Sequence, residues 1–118
     1  MLDDLLQELL DRIPGSAAAI LVGSDGLVVG RRIVDKQCPF EQLAAHGSLL
    51  FKNGLDLLTS IPGNELHELV LVTGKNTLLW RSIGTSYFVM LVLSDSALLG
   101  KARYILHKTE MNFVRELT

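Results

Sequence analysis

The feature that most constrains this chain is the run Tyr87-Phe88-Val89-Met90-Leu91-Val92-Leu93, seven apolar residues closed off by Gly84-Thr85-Ser86 before and Ser94-Asp95-Ser96 after. A segment so short, so apolar and so sharply bounded reads as a strand covered on both faces. Something must therefore lie above and below the sheet that contains it. The sequence supplies three helices to do so. Leu2, Leu5, Leu6, Leu9, Leu10 and Ile13 repeat at helical spacing, with Asp3, Asp4, Gln7, Glu8, Asp11 and Arg12 on the other side. Pro14-Gly15 stops that helix. A second helix is expected from about Pro39 to Ser60, halted by Pro62-Gly63-Asn64. A third follows the Ser94-Asp95-Ser96 cap to the C-terminus, with Leu98, Leu99, Ala102, Ile105, Leu106, Phe113 and Leu117 inward.

The remaining strands follow from turn chemistry. Residues 16–22 and 27–33 flank Gly23-Ser24-Asp25-Gly26, whose Asp-Gly pair is a hairpin signal. Gly30, Arg31 and Arg32 suit a sheet edge. Residues 65–73 and 77–83 flank Gly74-Lys75-Asn76. The order is α-β-β-α-β-β-β-α in one domain over residues 1–118, and the short turns make the pairings antiparallel.

Composition narrows the function. Hydrophobic residues make up 48% and charged residues 20%, with a net charge of −2. That excludes a disordered chain and argues against a nucleic-acid binder. One cysteine cannot form an internal disulfide, which suits a reducing cytoplasm. No apolar stretch is long enough to span a membrane, and the acidic start MLDDLLQELL is unlike a signal peptide. Neither membrane insertion nor nucleic-acid binding is expected.

Chemistry is sparse. No GxxxxGK[ST] loop is present, and Gly23-Ser24-Asp25-Gly26 leads into a strand rather than a helix N-terminus. His46, His67 and His107 lie on three elements without metal-ligand spacing, and no GxSxG elbow supports a hydrolase. Glu65 and Glu68 fit a strand start better than acid–base work. No catalytic residue, metal or cofactor is expected. Lys101, Arg103, His107 and Lys108 make the third helix basic, as a solvated face or a contact for an acidic partner or anionic lipid.

The second helix is more informative. At 100° per residue, Phe40, Leu43, Ala44, Gly47, Leu50, Phe51, Gly54 and Leu58 share one face. Gly47 and Gly54 suggest close backbone approach. The opposite face carries Gln42, Ala45, His46, Leu49, Lys52, Asn53 and Asp56, with Leu49 as an apolar anchor and Lys52 and Asp56 as a charged pair. This face is the candidate partner-binding surface.

The element order and several local motifs resemble the Roadblock family, which includes dynein roadblock light chains and bacterial MglB-type regulators of Ras-like GTPases. Ile13-Pro14-Gly15, Ser24-Asp25-Gly26-Leu27, Leu43-Ala44-Ala45 and Leu98-Leu99-Gly100-Lys101-Ala102-Arg103 carry the resemblance across nearly the whole chain. The resemblance implies an α+β, Roadblock/profilin-like fold. Its five-stranded antiparallel sheet would carry the second helix on one face and the terminal helices on the other. It also implies a dimer, with itself or a Roadblock-like paralogue, in which Glu68, Leu69, Val70, Leu71 and Val72 pair with their counterparts and the second helices lie side by side. The implied function is a non-catalytic module that binds and regulates a small Ras-like GTPase. The alternatives are an adaptor subunit without effect on GTP turnover and, less favoured, a small-molecule sensor.

Overall fold

The structure is a computed structural model that describes all residues from Met1 to Thr118. The elements are α1 (Leu2–Arg12), β1 (Ser16–Gly23), β2 (Val28–Ile33), α2 (Phe40–Leu58), β3 (Glu68–Val72), β4 (Thr77–Ile83), β5 (Tyr87–Leu93) and α3 (Leu99–Leu117). The five strands form one antiparallel sheet in the order β2-β1-β5-β4-β3. The apolar run 87–93 is β5, the middle strand. Its neighbours β1 and β4 are paired along their whole length, so its backbone is satisfied on both sides.

Strand alternation sends side chains into two separate cores. Ala19 and Leu21 of β1, Leu79 and Ile83 of β4, and Val89, Leu91 and Leu93 of β5 meet Leu6, Leu9, Leu10 and Ile13 of α1 and Ala102, Ile105, Leu106 and Phe113 of α3. Ile20, Val22, Trp80, Phe88 and Met90 face the other way, onto Ala44 and Phe51 of α2. The sheet thus carries α2 on one face and both terminal helices on the other.

Local chemistry sets the joints. In the β1–β2 connection the Gly23 N–H donates to the Leu27 carbonyl and the Gly26 N–H to the Gly23 carbonyl. Gly26 adopts φ +84, which closes the three-residue loop as a left-handed residue after a turn. Asp95 accepts from the Ala97 N–H at 2.9 Å and starts a single 3₁₀ turn, Ser96–Leu98, so α3 begins at Leu99, four residues after its cap. β3 is shorter than residues 65–73. The Leu66 carbonyl is taken by the Ser82 hydroxyl at 2.7 Å, and regular pairing begins only at Glu68.

Candidate protein-interaction surface

The site begins with how α2 is seated. Gly47 sits directly over the sheet: a Cβ there would come within 2.8 Å of Trp80 Nε1 and 3.1 Å of Met90 Sδ. The glycine brings the helix axis close to β4 and β5. One cost is visible, because Trp80 Nε1 is buried without a hydrogen-bond acceptor. Phe51 stacks on Phe88 with centroids 4.8 Å apart, and Arg31 lies 4.2 Å above the Phe40 ring, tying β2 to the helix start.

This seating fixes the outward surface. Gln42, Ala45, His46, Leu49, Lys52, Asn53 and Asp56 are all exposed, so the helical phase read from the sequence holds. None of their side chains takes part in a hydrogen bond or ion pair within the molecule. Lys52 and Asp56, placed to pair by spacing, do not form an ion pair. The face is therefore desolvatable without first breaking internal bonds.

Leu50 departs from the sequence reading. It was expected on the inner face, yet it is 42% exposed, and Leu43 and Leu58 are only half-buried. The buried arc of α2 is narrow, centred on Ala44, Gly47 and Phe51. Leu50 points about 100° away from that centre, on the flank of α2 that faces β3, where Gly54 meets Leu66 and Leu69. The spacing i, i+7 puts Leu57, which is more exposed still, in line with Leu43 and Leu50. Sequence reasoning missed this Leu43-Leu50-Leu57 stripe. The heptad interval was its available signal.

The stripe lies on the side of α2 that faces β3, one of the two edge strands. Gly54 of α2 packs over Leu66 and Leu69, so helix and edge are in direct contact. The Thr73 N–H donates to the Asn76 carbonyl, and the Ser82 N–H to the His67 carbonyl. Antiparallel alternation then turns the backbone N–H and C=O groups of Glu68, Val70 and Val72 outward. The side chains divide between the faces. Leu69 packs into the α2 core and Val70 against the α1–α3 core, while Leu71 and Val72 are exposed. Glu68 is held on the α3 side by Arg103 Nε at 2.7 Å and Arg81 at 3.9 Å, and Arg81 also reaches Glu110 at 3.3 Å. This network stiffens the edge while leaving its backbone free.

Other chemistry is peripheral to this surface. Three or more His, Cys, Asp or Glu side chains nowhere converge on a metal-sized point. Burial, helped by the Asp35 carboxylate, pushes the Cys38 thiol above its ordinary range, so it stays protonated and a poor nucleophile. An open groove of about 810 Å³ lies beyond the C-terminal end of α2, lined by Phe51, Leu58, His67 and Tyr87 among others. Its one cation, Arg81, is already engaged by Glu68 and Glu110. No helix is long and apolar enough to cross a membrane.

Comparison with known proteins agrees with this architecture. The Roadblock/LC7 domain profile matches residues 2–94. Among solved structures, Myxococcus xanthus MglB superposes with a TM-score of 0.88 at 15% identity, covering 98% of this chain and 86% of that one. An MglB described as having a tetrameric arrangement gives 0.84 at 21% identity, with 95% and 84% covered. A Roadblock/LC7 domain from Streptomyces avermitilis gives 0.76 at 21% identity, with 95% and 97% covered. At these identities the structures establish the fold alone. No curated protein matches closely enough to count as a relative. The family is one of regulatory and adaptor modules, and no enzymatic family is indicated. With β1 to β5 and the first two helices inside the matched segment, and the two-sided sheet as its frame, the chain belongs to the Roadblock/LC7 domain family.

Proposed function

We propose that this chain is a cytoplasmic, non-catalytic dimer that binds and regulates a small Ras-like GTPase through the outer face of α2. The carrying observation is the unpartnered apolar surface on α2 and the β3 edge that adjoins it: exposed Leu50 and Leu57 on the helix, exposed Leu71 on the strand, and the outward backbone of Glu68, Val70 and Val72. An exposed apolar edge strand is a liability in a monomer and is resolved by pairing with a second copy or a Roadblock-like paralogue. β3 against β3 would extend the sheet, and the Leu43-Leu50-Leu57 stripes would meet across the two-fold axis. Gln42, Ala45, His46, Leu49, Lys52, Asn53 and Asp56 remain outward in that arrangement, from both copies. They offer a partner a continuous helical surface.

Leu49, 61% exposed, is the anchor on this face. Leu49→Glu should change stability by less than about 0.5 kcal/mol, because the site makes no internal contact of consequence. It should weaken GTPase binding by at least about tenfold by placing a charge in a desolvated contact. The test is calorimetric titration of purified small Ras-like GTPases from the same cell, loaded with GDP or a non-hydrolysable GTP analogue, into both proteins. No binding of any such GTPase to the wild type, or equal binding to both proteins, would overturn the reading.

A further inference from the structure

The other side of the molecule is also unpartnered, and its charges are sorted. α1 and α3 lie side by side on one face of the sheet and run antiparallel. The Met1 ammonium meets Glu116 near the end of α3 at 3.0 Å, and Gly15, just past α1, lies against Leu98 just before α3. The buried residues of α3 are Ala102, Ile105, Leu106, Thr109 and Phe113. At 100° per residue the opposite arc carries Tyr104, Lys108, Met111 and Arg115, with Lys101 at its border. Tyr104 and Met111 are each 57% exposed. Lys108 sits 5.2 Å from the Tyr104 ring centroid, and none of Lys101, Lys108 and Arg115 has a carboxylate partner.

α1 is the converse. Its buried residues are Leu6, Leu9 and Leu10, and its outward arc carries Asp4, Glu8 and Asp11. Arg12 pairs with Glu8 at 3.6 Å, and Gln7 donates to Asp11 at 3.0 Å, but Asp4 and Asp11 have no cationic partner. One helix layer therefore presents an acidic stripe beside a basic stripe that has two apolar anchors in it.

A flat anionic membrane laid on this layer would meet Asp4 and Asp11 along with the lysines, which disfavours it. A surface with the same two stripes in exchanged positions fits both. We propose that the α1–α3 layer is an interface with a second copy of this chain. The two-fold axis runs between the helices and parallel to them, so each α1 lies over the partner's α3. Rotation about that axis exchanges the stripes and makes the contact isologous. The pairing does not depend on the α2–β3 surface and lies on the opposite face. Where both contacts form, the assembly grows beyond a dimer.

Sedimentation of the full chain over about 10–500 µM tests it, at salt from about 50 to about 500 mM to span strong and weak screening. Two variants are compared: Lys101→Glu with Lys108→Glu and Arg115→Glu, and Asp4→Lys with Asp11→Lys. Each alone should associate at least about tenfold more weakly than wild type through this contact, since like charges then face each other. An equimolar mixture of the two should associate again, because one now offers two acidic stripes and the other two basic ones. The same series in a Val70→Pro background separates this contact from the β3 edge. Association insensitive to the reversals, or no recovery on mixing folded variants, overturns the proposal. So does wild-type capture by vesicles of phosphatidylserine and phosphatidylcholine, lost in the lysine-reversed variant, without self-association. If a variant unfolds, loss of wild-type self-association with rising salt decides, and salt-independent association or none overturns the proposal.

Discussion

Gly47 and Gly54 both lie in α2, seven residues apart, yet they are under different constraint. A methyl group at Gly47 would press on the indole nitrogen of Trp80 at 2.8 Å, and that ring is buried and held in the sheet. At Gly54 the nearest atoms are the ends of Leu66 and Leu69 at 3.3 Å, which can rotate away. Alanine gains about 1 kcal/mol over glycine in a helix interior. Overpacking a rigid contact costs about 1–3 kcal/mol. Gly47→Ala should therefore lower stability by about 1 kcal/mol, whereas Gly54→Ala should be neutral or stabilising; denaturant melts of the two variants would show the difference. The sequence showed that the two glycines share one face. It could not show which sits over an inflexible ring, because that depends on the register of α2 against β4 and β5.

The elements themselves were legible where punctuation and periodicity agreed. β4 and β5 fall on residues 77–83 and 87–93 as the turns predict, and α1 ends at the proline-glycine stop. The outward face of α2 was legible too, since its phase follows from apolar spacing alone. Leu50 was not. A single helix seated over the middle strands buries only the narrow arc pressed onto them, and spacing alone does not reveal that its flank toward β3 stays open. β3 carries the same lesson: its continuous apolar run Leu69-Val70-Leu71-Val72 marks a strand, and the sheet order places it at the edge. That placement gives a test at the level of the element. The Val70 N–H points outward, so proline there removes no bond to β4 and is tolerated as edge prolines are. Val70→Pro should leave a folded chain, at a stability loss of about 1–2 kcal/mol for the lost valine packing. In sedimentation it should no longer form the β3-paired dimer. A folded Val70→Pro protein that dimerises through α2 and β3 as before would show that this edge is not the seam.

At the scale of the whole molecule, the two cores have unequal cover. The α1–α3 side encloses fifteen buried residues under two helices, and the α2 side seven under one. A single helix cannot cover one whole face of five strands, and the uncovered margin is where Leu50, Leu57 and Leu71 emerge. The chain's stability is then tied to whatever closes that margin. If a second copy closes it, folding is linked to association, and mass action raises the melting temperature with protein concentration. Each tenfold increase in concentration adds about 1.4 kcal/mol per dimer, which for two chains of this size is a rise of about 3 °C. A scan from low to high micromolar concentration should show that slope in the wild type. Val70→Pro combined with Lys101→Glu, Lys108→Glu and Arg115→Glu, lacking both contacts, should melt at one temperature throughout. A wild type whose melting point ignores concentration, with the mass of a single 13.0 kDa chain at every dilution, would mean that this margin stays open in solution and that only a different partner covers it.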